Sequence, residues 1–255
     1  MSAKGMLEEI ESFLQWYRLT YGTNLLLPRS VSELREMFRQ AAQAEAPTST
    51  FAKTASQSPI LPSNRQTSPE LQELYLKIKD CQACDLHKTR KHLVFGYGNA
   101  QAKVMFVGEA PGREEDEQGI PFVGAAGKLL DKMLSAIGLT RDEIYIANVL
   151  KCRPPGNRNP LPDEVQKCEP YLKEQLKLIK PRLIVALGLY AGQSLLKRQE
   201  TLSRMRGSVH RYEDIDVIVT YHPAALLRNP VWKAMAWEDL KTVRRLIDQN
   251  KIDSV

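Results

Sequence analysis

The chain has 255 residues, 43% of them apolar, with 36 lysines and arginines against 30 acidic residues and four cysteines. That is ample material for a core, and no unbroken apolar run approaches the ~18 residues a membrane span needs, so a wholly disordered chain and a membrane protein are both excluded. Glu8, Glu9 and Glu11 stand where a signal or transit peptide would be basic and apolar or poor in acid, so a cytoplasmic protein is expected.

Residues 1–80 hold 9 basic and 9 acidic side chains and residues 81–255 hold 27 and 21, so the whole excess of +6 lies in the C-terminal part. A polyanion would meet the protein there, although an excess this small equally suits a solvated, lysine-rich surface. At the N-terminus, Met6, Ile10, Phe13, Leu14 and Tyr17 fall at helical spacing, and Ser30-Val-Ser-Glu33 forms a capping box ahead of Leu34, Phe38 and Ala41. Two short helices bury too little to stand alone, so residues 1–40 are expected to be a helical extension that docks on the main domain or on a protein partner. Residues 41–68, with three charges, three prolines and much Ser, Thr, Ala and Gln, read as a flexible linker.

Ser68-Pro69-Glu70 is an N-cap followed by proline at the first helical position, and Leu71, Leu74, Tyr75 and Ile78 then face inward, leading directly into Cys81. Val104–Val107, Leu183–Leu187 and Val217–Val219 are short apolar runs of the kind that form buried parallel strands, and Ile144–Val149 resembles a fourth. Helical stretches at Gly127–Ile137, Asp163–Ile179 and Ala191–Lys197 alternate with them. The pattern predicts an α/β domain over residues 69–255, three-layered α/β/α with a central, mainly parallel four-stranded sheet. No internal repeat is visible.

Ligand sites in such sheets lie beyond the carboxyl ends of the strands. Gly108-Glu109-Ala110-Pro111-Gly112 follows the first run, Asn148 lies within the second, and His222-Pro-Ala-Ala-Leu-Leu-Arg228 follows the last, so the three could share one mouth. Gly96-Tyr-Gly98 precedes a strand and is no dinucleotide fingerprint. The acidic run Arg113-Glu-Glu-Asp-Glu117 and the hinge Gly119-Ile-Pro-Phe122-Val-Gly124 suit a small polar ligand. The Asn148 amide offers one donor and one acceptor, the pair needed to read a base edge, but a core asparagine satisfied by backbone fits equally. Cys81 and Cys84 are two residues apart, and Cys152 and Cys168 follow much later. In a cytoplasmic chain this set suggests a metal or cluster before a disulfide, and because Cys81 closes a helix a thioredoxin-like motif does not fit. Spacing leaves zinc and iron-sulfur both open.

Together, Cys-x2-Cys, Gly-Glu-Ala-Pro-Gly, Pro-Phe-Val-Gly, Asn-Val-Leu-Lys-Cys-Arg-Pro-Pro and His-Pro-Ala-Ala-Leu-Leu-Arg, in this order, resemble the family 4 uracil-DNA glycosylases, the thermostable iron-sulfur type, over residues 68 to about 248. The resemblance implies a base excision repair enzyme that flips uracil out of single- or double-stranded DNA and hydrolyses its glycosidic bond, with a [4Fe-4S] cluster on Cys81, Cys84, Cys152 and Cys168. It implies further that Phe122 stacks on the base, Asn148 reads O4 and N3–H, and His222 donates to O2. Leu226, Leu227 and Arg228 would fill or brace the gap left in the duplex. Gly108 and Ala110 would line the base pocket. The best-known branch of the superfamily has Gly-Gln-Asp-Pro-Tyr, so its water-positioning Asp is here Ala110 and its thymine-excluding Tyr is Gly112. Glu109 is therefore the candidate for orienting water or contacting the sugar, and Glu115 for walling off C5. A related branch traps the abasic sugar through a histidine in a basic loop; the corresponding Arg153–Asn159 has none, which disfavours covalent trapping. A non-catalytic iron-sulfur subunit of the replication or repair machinery would also account for the charge, linker and cysteines, but gives Asn148 and His222 no task.

Overall fold

The structure, a computed structural model, describes residues 68–249, so the expected N-terminal helical extension, most of the expected linker and the last six residues lie outside the described residues. Helix α1 (Pro69–Ile78) begins as its sequence requires: the Ser68 hydroxyl accepts the Leu71 N–H at 3.2 Å and Pro69 occupies the first turn. It buries Leu71, Tyr75 and Ile78. Full burial of each such side chain is worth roughly 1.5–3 kcal/mol in transfer.

The sheet has six strands rather than four. β2 (Val104–Gly108), β3 (Tyr145–Asn148), β4 (Leu183–Leu187) and β6 (Ile215–Thr220) are the four parallel strands that the apolar runs announce, in the order β3-β2-β4-β6. The additional strands, β1 (Tyr97–Gly98) and β5 (Val209–Tyr212), lie at the two edges and run antiparallel to their neighbours. Neither has an apolar run to betray it: β1 is two residues long, and β5, Val-His-Arg-Tyr, is polar and partly exposed, as edge strands commonly are.

Each central strand feeds both faces. Met105, Val107, Ala147, Ile184, Ala186, Val217 and Val219 pack under α1, α4 (Pro162–Ile179) and α5 (Leu189–Leu196). Phe106, Ile146, Val185, Leu187 and Ile218 pack on the other side under α3 (Ala125–Ala136) and α8 (Lys233–Gln249). Alternation along fully buried strands thus produces the three layers. Helix α8 was not among the expected elements, although Ala236, Leu240, Val243 and Ile247 recur at helical spacing and are buried. Three short helices, α2 (Arg113–Gln118), α6 (Leu202–Met205) and α7 (Pro223–Arg228), complete the set, α2 inside the acidic run and α7 immediately after His222.

Candidate active site

Gly108 and Asn148 are register partners at the carboxyl ends of β2 and β3. A Cβ on Gly108 would stand 2.4 Å from Asn148 Oδ1 and 2.8 Å from two atoms of the Phe122 ring, so only glycine lets that amide and that ring converge here. Asn148 is 1% exposed, and its Oδ1 has no hydrogen-bond partner within the protein. A buried acceptor left unpaired costs about 1–3 kcal/mol, which a ligand N–H would offset. The Phe122 ring lies 5.5 Å from the His222 imidazole with the planes 30° apart. Three of the predicted site residues therefore surround one space at the strand ends.

Phe122 is held in a conformation that bulky side chains avoid, with φ at 55°. Arg141 secures it by donating to the carbonyls of Pro121 and Phe122 and pairing with Asp131 at 2.5 Å. From the other side Glu115 accepts the N–H groups of Val123 (2.9 Å) and Gly124 (3.0 Å) on one oxygen and of Gly112 (3.1 Å) on the other. Gly127, in the first turn of α3, completes the fit, because a Cβ there would stand 1.7 Å from the Phe122 carbonyl oxygen. The strained backbone is thus held by three separate residues, Arg141, Glu115 and Gly127.

His222 caps α7. Its Nδ1 accepts the Ala224 N–H at 3.1 Å, which assigns the proton of the neutral ring to Nε2. Burial, aided by the nearby Arg228 charge, pushes the imidazole down to about 4, so near neutrality it is an uncharged donor through Nε2. Gly188, at φ +94°, brings its backbone so near that a Cβ would be 3.0 Å from the His222 Cβ.

The remaining expected residues are placed less uniformly. Glu109 is half-buried, and burial pushes its carboxyl up to about 7. Ala110 packs on the cluster formed by Leu86, Leu150, Cys152 and Cys168. The acidic run is not a ligand-facing cluster as expected. Glu115 binds backbone, and the buried Asp116 accepts the Lys91 N–H (2.9 Å) and the His92 N–H (3.4 Å), while Glu114 and Glu117 are exposed in ion pairs with Arg113 and Lys91. Adjacent carboxylates on α2 thus tie the Phe122 loop on one side and the segment following Cys84 on the other. Leu226 is buried in the core, whereas Leu227 (45% exposed) and Arg228 stand on the surface.

The four cysteines are free and gather at one corner. Cys152 and Cys168 are buried with Leu86 and Leu150, and Cys84 and Tyr171 pack on them. Cys81 Sγ lies 3.2 Å from the Tyr171 hydroxyl. N–H groups already point at the sulfurs, from Arg90 to Cys152 (3.2 Å), from Lys151 to Cys168 (3.2 Å) and from Ala83 to Cys81 (3.4 Å). Burial pushes Cys168 up to about 12 and raises Cys152, so a bound metal centre would displace their protons. Among the described residues no three such side chains are arranged to hold a single ion; the thiols share one locality without closing on one point. As a donor set, four thiols in one locality, three of them with an N–H group beside the sulfur, have the chemistry of iron-sulfur cluster ligands.

Several contributors were not singled out in the sequence. Arg141, Gly127 and Gly188 act from other elements, and no local pattern marks them. Lys151 carried a signal, a lysine inside the apolar stretch Val149-Leu-Lys-Cys152, and it is 1% exposed.

The family model of the Uracil DNA glycosylase superfamily matches residues 95–241, which span all six strands, the Phe122 loop and His222. The type-4 uracil-DNA glycosylase of Archaeoglobus fulgidus is 48% identical over 184 residues, 69% of this chain and 92% of that enzyme. Those of Pyrobaculum aerophilum (46% over 179 residues; 67% of this chain, 91% of the relative) and Saccharolobus solfataricus (42% over 185; 69% and 86%) are similar across the same extent. With the match covering the sheet, both site loops and the histidine helix, the chain belongs to the uracil-DNA glycosylase superfamily and, within it, to the type-4 family.

Proposed function

We propose that this protein excises uracil from DNA, hydrolysing the N-glycosidic bond to leave an abasic site and free uracil. The observation that carries this reading is the buried, unpartnered Asn148 Oδ1 beside the Phe122 ring and the tautomer-fixed His222. An extruded uracil stacks on Phe122. Asn148 Oδ1 accepts its N3–H and Nδ2 donates to O4; cytosine, with an amino donor at C4 and a bare N3, mismatches both. As the N1–C1′ bond breaks, its electrons pass into the ring, and the His222 Nε2–H meets the charge growing on O2. A neutral imidazole suffices as such a donor, and its contribution is concentrated in the transition state.

Water then bonds to C1′ and yields a proton. Glu109, with its carboxyl near 7, is the candidate to orient that water and accept the proton. Glu115 acts on the C5 side through backbone: its grip on Gly112, Val123 and Gly124 shapes the wall that a thymine methyl would meet. Leu227 and Arg228 enter the gap in the duplex while the buried Leu226 braces them.

Cys81, Cys84, Cys152 and Cys168 hold a [4Fe-4S] cluster, which supplies a structural cross-link joining the end of α1, the segment after β3 and α4. Iron analysis and a broad visible absorbance test this, and stoichiometric zinc without colour would refute it. For the activity, a uracil-containing oligonucleotide is incubated with loaded protein and cleaved with alkali at abasic sites. The shorter product is expected; intact strand despite DNA binding would leave the non-catalytic reading.

A further inference from the structure

Lys151 is a buried ammonium that none of the steps above uses. Its Nζ donates to the main-chain carbonyl of Asn148 at 2.9 Å and to Gln175 Oε1 at 2.5 Å, both neutral oxygens. Gln175, on α4 and itself fully buried, uses its Nε2 to hold the Phe95 carbonyl (2.9 Å) and the Tyr145 hydroxyl (3.3 Å). One ammonium thus closes a bridge from the last residue of β3 to a helix on the sheet's face, with both Lys151 and Gln175 buried. Desolvating a lysine is expensive, and replacing it with an apolar side chain of similar length would ordinarily be neutral or favourable. One of its two hydrogen bonds ends on the residue whose side-chain acceptor has no partner within the protein, and the other anchors that residue to α4.

We propose that Lys151 is a positioning residue for base recognition: by gripping the Asn148 carbonyl it fixes the strand end so that the Asn148 amide stands in the plane of the bound base. The Asn148 amide lies against Gly108 and Phe122, so a shift of the strand end that moves the Asn148 Cα would carry the amide out of the mouth. Lys151 touches no substrate and acts only through Asn148. The inference rests on Asn148 reading the base, and the test separates the two.

The test is Lys151→Met in cluster-loaded protein, with three readouts: inhibition by free uracil, affinity for DNA already carrying an abasic site, and excision in the presence and absence of Asn148→Ala. Loss of one charge-assisted hydrogen bond predicts at least about tenfold weaker uracil inhibition, while abasic DNA, which lacks the base, binds within about twofold of wild type. In the Asn148→Ala background, Lys151→Met changes excision by less than about twofold, because the residue it positions is gone. Lys151→Gln, which keeps a donor, falls between, and if Lys151→Met does not fold, Lys151→Gln and Gln175→Glu, which draws the ammonium toward helix α4, carry the same readouts. Unchanged uracil inhibition in the folded variants, or effects that simply add to those of Asn148→Ala, would overturn the inference. If Asn148→Ala alone leaves excision intact, the reading of Asn148 fails instead.

Discussion

At the mouth, Gly108, Phe122, Asn148 and His222 meet with their backbones held by protein groups, and the vacant valence is a single neutral acceptor on Asn148. At the cysteine corner, only four residues further along the chain from Asn148 at Cys152, four free thiols and their N–H donors are gathered with no covalent bond among them. The mouth is preorganised by the fold and asks only for substrate, whereas under the proposed function the corner relies on a metal centre to tie its three segments. Disturbing the first should therefore change rate more than stability, and disturbing the second should change stability first.

The largest effect separates the two regions most sharply. Cys168→Ala should abolish iron binding and lower the melting temperature by about 10 °C or more, read by metal analysis and a thermal melt. His222→Ala should slow single-turnover excision by about a hundredfold or more, since one preorganised donor is lost, while iron content holds and the melting temperature falls by only about the few degrees that loss of the α7 cap costs. A comparable melting shift in both variants would erase the distinction.

A smaller effect comes from pH. Glu109 has its carboxyl raised to about 7, so its reactive carboxylate gains population as pH rises, and excision should increase about tenfold between pH 6 and 8 and flatten in Glu109→Gln. The same raised value means that ionising Glu109 opposes folding, so its stability contribution is fullest below the ordinary carboxylate value of 4.5 and declines as pH rises toward 7. His222 runs the other way: held down to about 4, it favours the fold above its ordinary 6.5 and loses that contribution as pH falls toward 4. The smallest effect is expected from Arg141→Met, which frees the Phe122 carbonyl but leaves the Glu115 contacts. A rate loss of a few-fold, with weakened uracil inhibition, is the expected outcome.

Much of this was legible in the residues. Four apolar runs become the four parallel strands because a strand buried on both faces has no polar positions to interrupt it. The edge strands escape because two residues at Tyr97–Gly98 carry no period and Val209–Tyr212 faces partly to solvent. Asn148 and His222 stand out as motif residues at strand ends and Phe122 as one in a glycine-hinged loop, and the three converge. What the sequence hides is which partners complete them. Arg141 and Gly127 reach Phe122 from a separate loop and helix, and the apolar neighbours of Lys151 mark it as buried without showing that its ammonium holds the Asn148 carbonyl. The acidic run misleads for the same reason: composition suggests ligand-facing carboxylates, but Glu115 and Asp116 turn inward to backbone N–H groups.

The most direct measurement is single-turnover release of free base, by cluster-loaded protein, from three oligonucleotides identical except for uracil, cytosine or thymine at one position. A mouth built around the Asn148 acceptor and the His222 donor predicts uracil release at least about a thousandfold faster than cytosine release, and the wall that Glu115 holds on the C5 side predicts thymine release slower than that of uracil. Equal release of the three bases, or none from the uracil strand while DNA binding and iron content are intact, would contradict it.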